Sequence, residues 1–306
     1  QGSGLLQTEA LIRYTVQKAV AKARSRNVRY LELRCSPWNY TKGEVRTGLE
    51  VYRIIAEELT KAEKEVNPGA LPVFGARGLQ AGFRSGIILI ASRHRKMSEV
   101  YLNLELMEEI YAQGVYEEKL VGIDLAGEEG KLPPSRLREA FLSVMNRCQH
   151  ITIHAGETEK VESVWEAVYH LNAERIGHGL TLKDDKHLLQ KIIDRGIALE
   201  LCPSSNDQIV GFRDSPYPLL DYLEKGASVT INTDNPGISR TQLTQEFLKA
   251  AQLSRVGLSL MQILQIVRNG FSAAFLPLPE RERLLLSVER ELYARSIPLL
   301  EEVWKR

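Results

Sequence analysis

The chain is poor in several features that would place it quickly. It has three cysteines in 306 residues, Cys35, Cys148 and Cys202, an odd number, far apart and without Cys-x-x-Cys spacing. That argues against a disulfide framework or a thiolate metal site; it points to buried thiols in a reducing compartment, with the cytoplasm as the expected location. No apolar run approaches the roughly 18 residues that a membrane-spanning helix needs, and no basic-then-apolar signal opens the chain. An excess of one charge is missing too. Forty basic against 39 acidic side chains leave a formal net charge of +1, so nothing asks for nucleic acid or an anionic membrane, and a small neutral ligand fits. No Gly-x-Gly-x-x-Gly turn follows the first strand candidate, where Leu33-Arg34-Cys35-Ser36-Pro37 stands instead. Gln1 is not an initiator Met, which implies a start partway into a gene product or after processing. Nothing in the pattern sets an oligomeric state.

What is present is enough apolar residue, 43%, to bury a large core in one α/β domain or two. Short apolar or β-branched runs alternate with amphipathic stretches, the pattern of parallel βα repeats. Seven runs read as strands: 28–34, 86–91, 120–125, 151–154, 175–177, 197–201 and 229–232. Helices are expected over 5–25, 97–113, 135–148, 160–171, 183–195 and 219–225, then over 241–254, 259–269 and 280–294 at the C-terminal end. Polar residues concentrate at the strand C-termini, which favours a TIM-type (β/α)8 barrel over a doubly wound open sheet. Such a barrel needs eight strands. Because the chain opens on a helix, the missing strand is expected to be the first, upstream of Gln1, and an open seven-strand barrel would carry two unpaired edges and poor solubility. No linker or repeat divides residues 1–306, so a single domain is expected.

The chemistry-bearing residues sit where strands end. His154-Ala155-Gly156-Glu157 closes one apolar run, Arg175-Ile176-Gly177-His178-Gly179 the next, and Asn232-Thr233-Asp234-Asn235-Pro236 the last. Taken singly, His154 or His178 reads more often as a hydrogen-bonded structural histidine than as a ligand, and Asp234 could simply close an Asx turn. Their joint placement changes the balance, since core histidines have no reason to gather at one end of a barrel. An imidazole and a carboxylate, His154 and Asp234, describe half of a zinc-like site, whose metal would activate water near neutral pH. Glu157 is then the proton shuttle, and His178 orients or deprotonates the water. Asp124, a charge inside an apolar strand, is either a paired structural carboxylate, the reading we favour here, or a group orienting a ligand. Gly127 either lets a ligand approach the backbone or merely makes the turn. His94, His150, His170 and His187 read as surface or structural.

Six motifs in order along nearly the whole chain resemble those of the adenosine deaminase family. They begin at Val28-Arg29-Tyr30-Leu31-Glu32-Leu33-Arg34-Cys35-Ser36-Pro37 and Ile123-Asp124-Leu125-Ala126-Gly127-Glu128-Glu129, continue through the two histidine motifs and Leu201-Cys202-Pro203-Ser204-Ser205-Asn206, and end at Asn232–Pro236. The resemblance implies a metal-dependent TIM barrel that converts adenosine, a purine nucleoside, to inosine and ammonia. It implies one Zn2+ per chain held by His154 and Asp234, Glu157 protonating a purine ring nitrogen, and His178 positioning the attacking hydroxide. It further implies that the Gly127 backbone and the Asn235 side chain hold the purine. Many family members carry Asp at the place of Asn235, and an Asn can donate to a ring nitrogen without first being protonated. The Cys-Pro-Ser-Ser-Asn stretch is closer to the adenosine-using branch than to deaminases of AMP or adenine. The family also takes two zinc ligands from a His-x-His pair on its first strand, and no His precedes His94 here. The alternatives left open are a metal-free purine-binding protein without turnover, a deaminase of a related purine, and another hydrolase of the wider amidohydrolase group.

Overall fold

In the computed structural model, residues 2–66, 82–94 and 96–304 are described, with side chains to Ala294. Seven parallel strands run in sequence order: β1 (Tyr30–Cys35), β2 (Arg84–Ser92), β3 (Leu120–Ala126), β4 (Ile151–Ala155), β5 (Arg175–His178), β6 (Ala198–Leu201) and β7 (Val229–Ile231). All seven expected strands form. The helices are α1 (Glu9–Arg24), α2 (Gly48–Val66), α3 (Met97–Gln113), α4 (Arg138–Asn146), α5 (Glu162–His170), α6 (Lys186–Asp194), α7 (Pro203–Ile209), α8 (Leu219–Glu224), α9 (Leu243–Leu253), α10 (Leu260–Ser272) and α11 (Leu278–Trp304). Two of these, α2 and α7, were given no bounds from the sequence. The first joins β1 to β2 and buries Leu49, Val51, Tyr52, Ile55 and Leu59 on one face, a 3.6-residue period that an unbroken charged spacing partly hides. None of the described helices is long and apolar enough to cross a membrane.

The sheet is curled, and the side chains inside it prove the curl. Arg34 on β1 bonds Asp124 on β3 at 3.1 Å and also Glu200 on β6, five strands away. Arg175 on β5 reaches back to Glu32 on β1 at 2.7 Å and to Glu200 at 2.9 Å. The result is a TIM-type barrel short of one strand, with βα helices packed outside. Its interior differs from the usual branched apolar layers. Glu32 and Arg34 stand two residues apart on one face of β1, and with Asp124, Arg175 and Glu200 they make a buried layer of paired charge.

Phe275 plugs the strand N-termini. Its ring lies 3.4 Å under the Arg175 guanidinium and stacks on His150 at 4.6 Å, and its backbone N–H donates to Glu32 at 2.8 Å. On the open side, α10 packs along β7, and the Asn269 amide donates to the Val229 carbonyl at 3.0 Å. An edge carbonyl that no strand reaches thus has a partner.

Candidate active site

The register places the site. Pairing of β4 with β5 sets His154 beside Gly177, and pairing of β5 with β6 sets Gly177 beside Glu200. A Cβ on Gly177 would lie 3.2 Å from the His154 ring, so the bare glycine gives the imidazole its place against β5. The opposite side of that ring is fixed by Asp124, whose Oδ1 lies 3.0 Å from His154 Nδ1. Asp124 therefore does both things considered for it: one oxygen pairs with Arg34 and the other orients a histidine. Burial works against a charge on His154, yet the Asp124 carboxylate outweighs it and raises the imidazole pKa. The His154 carbonyl accepts from Arg93, a fully buried guanidinium that sequence reasoning passed over.

Glu157 lies on the loop beyond β4. Buried Glu129 holds that loop by accepting the backbone N–H groups of Glu157 and Glu159, both at 3.1 Å. Burial pushes the Glu157 carboxyl up to about 7, against a hydrogen bond from Asn206 that favours the ionised form. At neutral pH a large share of this carboxyl keeps its proton, as a general acid requires.

His178 ends β5 with φ +68°, a left-handed conformation that a non-glycine residue adopts only when its surroundings enforce it. Its ring meets that of His154 edge-on, with centroids 4.9 Å apart. Burial, and then the neighbouring His154, lowers the His178 pKa to about 3, so this ring is neutral. His178 Nδ1 lies 3.3 Å from Glu157 Oε1 and 2.9 Å from the amide nitrogen of Asn206. Asn206, fully buried on α7, closes the Leu201–Asn206 motif and carries no charge or metal-ligating group that singles it out in the sequence.

Asp234 follows β7, exposed and also left-handed at φ +50°. It is close enough to raise the pKa of both His154 and Glu157, which puts it on the same rim. Its Oδ1 accepts from the Asn235 amide at 3.0 Å, so Asn235 here faces its neighbour. Gly127 follows β3 at φ +116°, and the exposed His94 ring lies 3.2 Å from where a Cβ would project. The strand ends thus bring His154, Glu157 and His178 into one cluster, Glu157 and His178 joined through the Asn206 amide and His154 by its ring contact with His178. Asp234 couples to that cluster electrostatically; Gly127 and Asn235 lie in the loops after β3 and β7.

Whether these residues suit a metal can be judged from their donors. His154 has one ring nitrogen committed to a buried carboxylate and the other free, the arrangement metal-binding histidines use, and Asp234 adds a carboxylate oxygen. Among the described residues, no three His, Cys, Asp or Glu side chains lie close enough to hold an ion. The chain therefore fits as the source of two ligands where catalytic zinc usually takes three from protein.

A barrel of parallel strands with imidazoles and carboxylates at its C-terminal rim defines the class of fold, a TIM-type barrel short of one strand. Solved structures agree. The chain superposes on an adenine deaminase from Arthrobacter aurescens with a TM-score of 0.78 at 21% identity, covering 94% of this chain and 81% of that one. An amidohydrolase from Burkholderia ambifaria with bound zinc gives 0.78 at 18% identity, covering 97% and 76%. Sequence narrows the class: the family model for adenosine deaminase matches residues 2–291, and the adenosine deaminase of Enterococcus faecalis is 30% identical over 281 residues, 92% of this chain and 76% of that protein. The chain belongs to the adenosine deaminase family, and with it to the hydrolases that act on carbon–nitrogen bonds in cyclic amidines.

Proposed function

We propose that the chain, acting as one barrel domain, carries the hydrolytic deamination of adenosine and deoxyadenosine to inosine forms and ammonia. The observation that carries this reading is the pairing at one rim of a carboxyl held near pKa 7, Glu157, with a neutral imidazole, His178. Water adds to the purine carbon that bears the amino group. Glu157 gives its proton to the adjacent ring nitrogen and, once ionised, takes a proton from the added water and passes it to the leaving amine. His178 orients the attacking water, the Gly127 backbone and the Asn235 amide hold the purine, and ammonia leaves. His154 and Asp234 would hold zinc, which when bound lowers the pKa of water toward about 7. The three free thiols suit a reducing, cytoplasmic setting.

The test is inosine formation by this chain supplied with zinc, followed by the change in ultraviolet absorbance. Turnover that Glu157→Gln lowers by about 10²–10⁴-fold supports the reading. A wild-type chain that binds zinc and yields no inosine overturns it. The absence of a three-ligand cluster among the described residues favours a second reading, a purine-binding protein without turnover. That reading predicts adenosine binding indifferent to chelator and no inosine in excess zinc. Adenine and AMP in the same assay separate the related purines.

A further inference from the structure

Asn206 sits at the centre of the acid–imidazole pair, and its four hydrogen bonds leave its side chain a single orientation. The carbonyl end is claimed by the Cys202 backbone N–H at 3.0 Å, which can only donate, and it also accepts the Tyr217 hydroxyl at 3.0 Å. The amide nitrogen therefore faces the site. Its two protons meet two acceptors, Glu157 Oε1 and His178 Nδ1, both at 2.9 Å. The inventory closes: an Asn amide has two donors and one carbonyl, and every position is used. Tyr217 is itself held edge-on to Phe212 with ring centroids 4.9 Å apart, and Cys202, Asn206, His178, Tyr217 and Phe212 are all buried.

We propose that Asn206 is a positioning residue that fixes the tautomer of His178, forcing its proton onto Nε2, and aims the Glu157 carboxyl at the same substrate. A proton on Nδ1 would point at an amide N–H 2.9 Å away, donor against donor. Glu157 Oε1, 3.3 Å from the same ring nitrogen, is the competing partner that would draw a proton there. The amide settles that competition because its own orientation is decided by Cys202 and Tyr217, on the far side from the reaction. His178 then presents N–H, not a lone pair, toward a bound water. The proposal rests on the deaminase reading for its meaning, not for its geometry, and the tautomer exists without metal or substrate.

The experiment is long-range proton–nitrogen correlation NMR on metal-free, 15N-histidine-labelled protein, with His178→Gln identifying the His178 signals by their loss. The expected wild-type pattern is an unprotonated Nδ1 and a protonated Nε2. Asn206→Asp, which offers an acceptor in place of the donor, should move the proton to Nδ1. A wild-type His178 protonated at Nδ1 overturns the proposal without any Asn206 variant. An Asn206→Asp protein that folds and keeps the wild-type pattern also overturns it. A failure of turnover, by contrast, strikes the deaminase reading and leaves this result standing.

Discussion

Two carboxylates 43 residues apart in number, Glu200 buried inside the curl of the sheet and Glu157 partly buried on the loop at its rim, have been driven in opposite directions. Glu200, in the middle of the barrel, is held down to about 2: burial opposes its charge, and Arg34 and Arg175 more than repay that cost. Glu157, at the rim, is pushed up to about 7 by burial that outweighs the Asn206 hydrogen bond and the pull of His154, with no guanidinium beside it. The same side chain thus becomes a fixed anion in one layer and a proton carrier in the next. What separates the two roles is whether a guanidinium is in reach. The interior layer has its charges paired and so serves as a frame. At the rim a proton is left free to move.

Breaking the frame should have the largest effect. Glu200→Gln leaves Arg34 and Arg175 facing each other without their shared anion, and removal of one partner from a buried ion network costs about 3–5 kcal/mol. A loss of unfolding free energy, measured by urea denaturation, of less than a third of that would mean the layer is wetter than its burial implies. The wild type carries a pH signature of the same residue. With the folded-state pKa depressed from 4.5 to about 2, the stabilisation is full above 4.5 and is lost as pH falls through about 2.

The rim should respond with the opposite sign. Glu157 keeps a proton in the folded chain that the unfolded chain releases above its ordinary 4.5, so its contribution is full below 4.5 and is lost as pH rises through about 7. Glu157→Gln removes that loss. We expect the variant to gain on the wild type between pH 4.5 and 8, reaching of order 2 kcal/mol, measured as the difference between their urea midpoints across that range. Parallel profiles would show that Glu157 is solvated and ionised, contrary to a role as acid.

How much of this contrast could be read from the sequence divides along the same line. Rim residues announce themselves because a polar side chain beside Gly or Pro after an apolar run is a local pattern, and His154, Glu157, His178 and Asp234 were found that way. The frame was not. Asp124 drew notice as a charge in an apolar strand, whereas Glu200 in Ala198–Leu201 has the same pattern and was passed over. Glu32 and Arg34 carry a legible period-2 signal, but that Arg34 would meet Glu200 depends on closure of the sheet across five strands. Asn206 has no charge and no motif chemistry of its own. Its importance comes from the Cys202 N–H, which can only donate and so fixes which way its amide points, with the Tyr217 hydroxyl bonded beside it, a geometry set by the fold of α7 and its following loop. Of the fold, the strand positions were legible because β-branched runs are local; the amphipathic α2 gave a weaker signal among its many charges.

Asp124 joins the two regions, with one oxygen on Arg34 and the other on His154. Asp124→Asn sharpens the comparison, because it keeps an oxygen for the imidazole N–H while removing the charge that fixes it. Loss of such a supporting carboxylate typically weakens metal binding about 10–100-fold, to be read by competitive zinc titration at constant pH. Since the same carboxylate raises the His154 pKa, protons compete with the metal for wild-type His154, and zinc affinity should fall as pH is lowered. An unchanged affinity in the variant would detach the frame from the rim.

The smallest expected effect is the control that gives the others meaning. Lys225 and Asp221 form an ion pair at 2.8 Å, as short as those inside the barrel, but on the solvent face of α8 with both side chains 47% exposed. Water screens this pair and the two side chains lose freedom in making it, so pairs of this kind contribute about 0.5 kcal/mol or less. Lys225→Ala should therefore move the urea midpoint by no more than about a sixth of the shift from Glu200→Gln. A comparable loss from the two substitutions would mean that charge count, rather than the burial that distinguishes Glu200 from Asp221, governs stability in this barrel.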